Sequence, residues 1–277
     1  MIKPLIPIKQ EGLDDIAKSL LETSVPVITP AEVGKPQDYL LLPQTREHPE
    51  IPISLTRLVY TPSMEQILKS LNINAQNNNN RDPLYREGYL GDINYQQANN
   101  LNKALDGFML PPNLFVEFLN QLRSGNAFDE NGNRIDTRKI EAILSDVYEV
   151  RSPWRSEGLS HKYSEKDSHI LVTYPKFNTS GQLIEVTEEL DSITLRTDKL
   201  PGISLESWLR NPTSQGFPRI DVASGNLYYW YPRNGNVARF YSDSGRAGLY
   251  CGGDPSYSDP VLGVRHAKIK PWLTYNY

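Results

Sequence analysis

The side chains able to carry catalysis or hold a metal are few. There are four histidines, His48, His161, His169 and His266, and a single cysteine, Cys251. A structural zinc site needs closely spaced Cys or His pairs, and no two histidines here stand at such a spacing. No Gly-x-Gly-x-x-Gly, P-loop or Gly-x-Ser-x-Gly segment is present. "FDENGNRIDTRKIE" (Phe128 to Glu141) approaches a calcium-binding loop. Setting Ile135 at the eighth loop position puts Phe128 first and Asn133 where glycine is required, so the pattern fails. The segment reads instead as a β-turn at Asn131-Gly132 leading into a helix. Cys251 lies two residues beyond Leu249, so strand alternation puts both on one face and Tyr250 on the other. A cysteine beside an inward leucine behaves as a small apolar residue. These positions predict no catalytic residue, no resident metal and no cofactor. Asp243, Asp254 and Asp259 cluster in sequence and keep a calcium-dependent sugar binder as an alternative; as ordinary loop carboxylates they would simply face water.

The bulk properties narrow the classes. The chain has 277 residues, a net charge of −4 and a pI near 5.7. A nucleic-acid binder would carry a basic stripe, so none is expected as a partner. One cysteine permits no internal disulfide. The opening "MIKPLIPIKQEGLDDIAKSLLE" has no apolar run of the kind a signal peptide needs, and no stretch approaches about 20 apolar residues. No membrane insertion is expected. Synthesis in the cytoplasm follows, with display on a virion or cell surface left to a partner.

The elements that must position any site run from helices to strands. Residues 1–37 hold a short helix candidate, Leu13 to Leu21, and prolines at 26, 30 and 36, and read as an arm or edge element. The remainder, 38–277, reads as one domain. Asp38 to Pro43 and Ile53 to Tyr60 look like strands, and Asn74 to Pro83 like a polar loop. In "PPNLFVEFLNQLRSG", Leu114, Phe115, Phe118, Leu119 and Leu122 share a helical face, with Pro111 and Pro112 at its start and Gly125 as its C-terminal cap. In "DTRKIEAILSDVYEV", Ile140, Ile143, Leu144 and Val147 do the same, with Asp136 as N-cap. Ser168 to Phe177, Gln182 to Leu190 and Ser192 to Thr197 alternate as strands. Helices early and strands late, without βαβ alternation, predict an α+β fold.

One late segment is compositionally odd. Tyr231 to Ala267 contains no Lys, Glu, Gln, Met or Trp, types that make up about a sixth of the chain. Half of the 16 tyrosines fall at or beyond Tyr228, most of them among Gly, Ser, Asn and Asp. This is the composition of a paratope, in which Tyr supplies contact area at small entropic cost and Ser, Gly and Asn supply adaptable hydrogen bonds. Codons of the form A-A-pyrimidine, altered at either adenine, yield Asn, Asp, Tyr, His, Ser, Gly, Arg, Cys and several others. They cannot yield any of the five missing types.

The chain resembles the variable proteins of diversity-generating retroelements, in which an error-prone reverse transcriptase scrambles template adenines and writes the copy into a target gene. "NLYYWYPR" (Asn226 to Arg233), "VARFYSDSGRAGLYC" (Val237 to Cys251) and "LGVRHAK" (Leu262 to Lys268) carry the likeness. Upstream, "DGFMLPPNLFVEFLNQLRSG", "VRSPWRSEGL" (Val150 to Leu159) and "SLESWLRNPTSQGFP" (Ser204 to Pro218) share it. The resemblance implies a C-type lectin fold of the formylglycine-generating-enzyme subtype. Two helices would pack on small antiparallel sheets, with a variable region over about 226–267 on a solvent-facing ligand site. The related enzymes need two active-site cysteines, so the likeness carries the fold and not the catalysis, although a lectin-fold enzyme of that type remains the alternative.

On this reading Val237, Phe240, Ala247, Leu249, Leu262 and Val264 are scaffold, and Arg265 pairs with a core carboxylate or backbone carbonyls. The expected ligand-binding, variable positions are Asn234, Asn236, Arg239, Tyr241, Asp243, Gly245, Arg246, Gly248, Tyr250, Gly252, Gly253, Asp254, Ser256, Tyr257, Ser258 and Asp259. The expected partner is a changing protein or glycan on a target cell surface.

Overall fold

The two strongest helical patterns form where their spacing predicts, within a larger framework. The computed structural model describes residues 38–78 and 88–269; the Leu13 to Leu21 helix candidate lies outside them. In chain order the elements are β1 (Tyr39–Leu42), β2 (Ile51–Ser54), α1 (Pro62–Ser70), β3 (Gln76–Asn78), β4 (Tyr89–Gly91), α2 (Tyr95–Ala104), β5 (Gly107–Met109), α3 (Pro112–Arg123) and α4 (Thr137–Tyr148). They continue with β6 (Arg155–Lys166), β7 (His169–Phe177), β8 (Leu183–Glu189), β9 (Lys199–Ile203), α5 (Leu205–Arg210), β10 (Leu227–Trp230), β11 (Val237–Ser242), β12 (Ala247–Gly253), β13 (Leu262–Val264) and β14 (His266–Lys268). The molecule is α+β.

The caps behave as the sequence suggests. Asp136 accepts the backbone N–H groups of Arg138 and Lys139 at the start of α4. Gly125 follows α3 with a φ of 71°, the left-handed conformation that ends helices. Around Asn131-Gly132, the Asp129 carboxylate accepts from the backbone of Asn131 and Asn133, closing a turn.

Several expectations need correction. The strand expected over Ile53 to Tyr60 is β2, which ends at Ser54; Leu58 beyond it bridges two other segments, donating to Val264 and accepting from Leu90. Ser192 to Thr197 forms no strand and contributes only an isolated bridge between Thr194 and Arg219. The Asn74 to Pro83 loop contains β3, and its remainder from residue 79 lies outside the described residues. The sheets are neither uniformly small nor wholly antiparallel. One has four strands in the order β1-β2-β14-β5, and β3 pairs with β4. The largest has eight, in the order β8-β7-β6-β11-β12-β10-β9, with β13 added on β6. Its β10–β12 and β13–β6 pairs are parallel.

The main core lies between α3, α4 and the two larger sheets, built from residues such as Phe115, Phe118, Leu159, Trp208, Phe240 and Leu249. A second cluster beneath α1 and α2 joins Met64, Ile67, Leu101, Met109 and Val264. Three buried arginines tie these parts together. Arg57 bonds Asp146, Arg155 donates to the Asp146 carbonyl and the Ser242 hydroxyl, and Arg265 pairs with Glu157. Among the described residues, no helix is long and apolar enough to cross a membrane.

Candidate functional site

The β10–β11–β12 face of the large sheet carries the site. β10 alternates Leu227 and Tyr229 into the core with Tyr228 and Trp230 outward. In β11 and β12, Ala238, Phe240, Leu249 and Cys251 belong to the main core; Val237, expected as core scaffold, is buried outside it in a pocket with Arg239 and Gly253, and Arg239 and Tyr250 remain partly exposed. Phe240 stacks on Trp208 with ring centroids 6.2 Å apart and packs on Phe115 at 5.4 Å, which fixes the sheet to α3 and α5. The register Phe240↔Leu249 and Tyr241↔Gly248 then sets which side chains look outward.

Those outward residues converge on a concave surface lined by Trp154, Tyr228, Trp230, Arg239, Tyr241, Asp243, Ser244, Gly245, Arg246 and Tyr250. Trp230 is its centre. It stacks on Tyr228 at 5.6 Å, meets Tyr250 edge-on at 5.2 Å and lies 5.7 Å from Tyr241. Arg246 lies over the Tyr228 and Trp230 rings at 5.5 and 5.9 Å. Tyr241 is only 8% exposed, yet it belongs to neither apolar core; its neighbours on this surface cover it, and burial pushes its phenol up to about 12. The β11–β12 turn is shaped by Asp243, whose Oδ1 accepts the backbone N–H groups of Gly245 and Arg246.

The remaining expected positions are distributed around this cup. Asp254, Ser256, Tyr257, Ser258 and Asp259 form an exposed loop beyond β12, on the far side of Arg239. Asp254 accepts from the Ser256 backbone and hydroxyl, which holds its carboxyl below the usual range. Asp259 accepts from the Val261 backbone and the Tyr257 phenol. Ser258 donates to Asp92. Asn234 accepts the Glu165 backbone N–H just before β11 and does not line the cup. Asn236 is likewise outside it, its carbonyl accepting from Tyr163.

Two expected positions are tight. Gly248 is buried, and a Cβ there would lie 2.6 Å from the Tyr228 carbonyl oxygen. Gly253 is buried 3.0 Å from the Val237 carbonyl by the same measure, whereas Gly245 and Gly252 meet nothing closer than 3.4 Å. Trp154, Tyr228, Trp230 and Ser244 were not among the expected positions. The alternation of β10 signals Tyr228 and Trp230; only the sheet order brings Trp154 in.

Cys251 is fully buried, and burial raises its thiol to about 12, which opposes thiolate formation. Among the described residues, no group of three or more His, Cys, Asp or Glu side chains is placed to hold a metal. No family model, curated protein or solved structure matches this chain.

Proposed function

We propose that this protein is a non-enzymatic recognition protein of the C-type lectin kind, whose β10–β12 face is a ligand-binding surface diversified at adenines by a retroelement. The supporting observation is the division of Val237–Gly253 between two faces. Arg239, Tyr241, Asp243, Gly245, Arg246 and Tyr250, types that suit a paratope and lie within reach of A-A-pyrimidine codons, line one concavity. The apolar residues between them, Phe240 and Leu249, are 1% and 0% exposed. Trp154 and Trp230, which such codons cannot produce, form its constant floor, and Gly248 belongs with the constant set because no side chain fits. Aromatic and arginine side chains on a rigid sheet are the groups that dominate binding at interfaces. The buried, high-pKa thiol of Cys251 supports binding over sulfur chemistry.

Two measurements test this. In the first, Asp243, Arg246, Tyr250, Tyr257 and Ser258 are replaced together by Ser or Asn and the melting curve is compared with those of Phe240→Ala and Leu249→Ala. The surface variant should stay folded, at about 0.5 kcal/mol per position, while each cavity variant loses about 2–5 kcal/mol. Unfolding of the surface variant would remove the recognition-surface reading. In the second, the DNA flanking the gene is sequenced. A near-repeat of codons 231–267 differing only at adenines, beside a reverse transcriptase gene, is expected; its absence removes the retroelement.

A further inference from the structure

The cations of this region are committed unequally. Arg233 pairs with Asp198 at 2.6 Å, and Arg246 approaches Asp243 at 3.7 Å. The Arg239 side chain makes no hydrogen bond or ion pair with any described residue, although the residue is half-buried. Its guanidinium carbon instead lies 4.7 Å from the Tyr250 ring centroid and 4.8 Å from that of Tyr257. Both rings are themselves held. Tyr250 meets Trp230 edge-on, and the Tyr257 phenol donates to Asp259 at 3.0 Å. Arg239 is therefore a planar five-donor fork kept in place by aromatic faces, with its donors left for a ligand.

Resting on the recognition-surface reading, we propose that this surface binds an exposed Asp or Glu side chain of a protein partner, with Arg239 gripping the carboxylate and the Trp230 cup taking the residue beside it. A single uncommitted guanidinium balances one negative charge, as a carboxylate carries, better than the near-double charge of a phosphate. The aromatic geometry favours peptide over sugar. The rings around Trp230 lie at 28°, 47° and 80° to it, so they form an irregular cup and present no flat platform for a pyranose. The carboxylates that would take sugar hydroxyls, Asp243, Asp254 and Asp259, already accept from their own loops.

The test is an NMR titration of the full chain, following the Trp230 indole N–H and the Arg239 Nε–H. The probes are acetyl-Leu-Glu-Leu-amide, its neutral isostere acetyl-Leu-Gln-Leu-amide, and methyl glucuronide as an acidic sugar. The Glu peptide should shift both signals saturably and bind about tenfold more tightly than the Gln peptide, the scale of one charge-assisted contact. Arg239→Gln, with an unchanged melting temperature, should abolish that preference, and Arg210→Gln on α5 should leave it intact. Equal affinity for the two peptides, a preference that survives Arg239→Gln, tighter binding of the glucuronide, or no shift with any probe would each overturn the assignment. None of these outcomes bears on the recognition surface itself, which the melting comparison above decides.

Discussion

Arg265 and Glu157 form a buried ion pair, Nε to Oε2 at 2.9 Å, with side chains 1% and 5% exposed. Arg265 also donates to the carbonyls of Ser54 and Leu55, so one guanidinium joins the last strands, β6 and the chain just beyond β2. Removing one partner strands the other charge in the core. Arg265→Met should therefore cost about 3–5 kcal/mol in urea unfolding. Arg210→Ala, which breaks an exposed pair with Glu206 on α5, should cost less than about 1 kcal/mol. A small loss for Arg265→Met would show that the pair merely fills space.

The glycines of β12 and of the turn before it should separate into two kinds. Gly248→Ser must push against the Tyr228 backbone, and a loss of about 1–3 kcal/mol is expected, as for overpacked sites. Gly245→Ser and Gly252→Ser have room and should melt within a degree or two of the parent. Differential scanning fluorimetry of the three variants checks the contrast.

Cys251 should be chemically silent in the native state. With its thiol buried and raised to about 12, labelling by a disulfide reagent at pH 8 should be far slower than for a free thiol and should become rapid in denaturant. Fast native labelling would contradict the burial. Cys251→Ser should keep the fold at a cost of about 1–2 kcal/mol.

Stability should fall on mild acidification because two histidines are buried neutral. His161 lies among Tyr163, Tyr174 and Phe217, neither ring nitrogen bonds a described residue, and burial holds its pKa well below the ordinary value. Burial, and then the Lys268 charge, lowers His266 to about 4. Below pH ~6.5 the unfolded chain binds protons that these native rings refuse. Their stabilisation is thus whole above that pH and drains as pH falls toward the folded values, by at most about 1.4 kcal/mol per unit for each ring. His48 acts in the opposite direction. Burial disfavours its charge, but the Glu117 hydrogen bond and neighbouring carboxylates raise its pKa, so its contribution is complete below pH ~6.5 and is lost as pH rises through the raised value. Urea midpoints between pH 5 and 8 should peak near 6.5, and His161→Phe should flatten the acid side. An unchanged acid slope would place the proton uptake elsewhere.

The sequence was legible where burial followed a simple period. The helices α3 and α4 each bury one clean stripe and were expected with their caps. The helices α1 and α2 were missed although their caps are written plainly, Thr61 before Pro62 and the reciprocal Asn94–Gln97 box. Their faces are short and, in α2, interrupted by asparagine. The strand β6 was missed for a deeper reason. It buries Arg155, Ser156, Glu157, Ser160 and His161, so a central strand reads as polar, and the partners of that buried half, β11 and β13, lie far away in the chain. In the site, alternation correctly turned Phe240 and Leu249 inward. It gave no hint that Arg239 would lie between Tyr250 and Tyr257, because that contact depends on how the loop after β12 returns.

The four-stranded sheet places β14 between β2 and β5, so a strand from the far end of the described chain completes a sheet begun by its first segment. The His266 backbone donates to the Ser54 hydroxyl across 212 residues. Contacts this distant in sequence form late and slowly, and a nascent chain has no β14 until the Tyr-rich segment has already been translated. A single-base insertion or deletion in that segment upstream of codon 262 changes the reading frame through residues 262–268 and removes β13, Arg265 and β14 together. Point changes on the outer face leave them intact. The order of the strands therefore makes folding a proofreader: it rejects frame errors in the segment upstream while letting substitutions through.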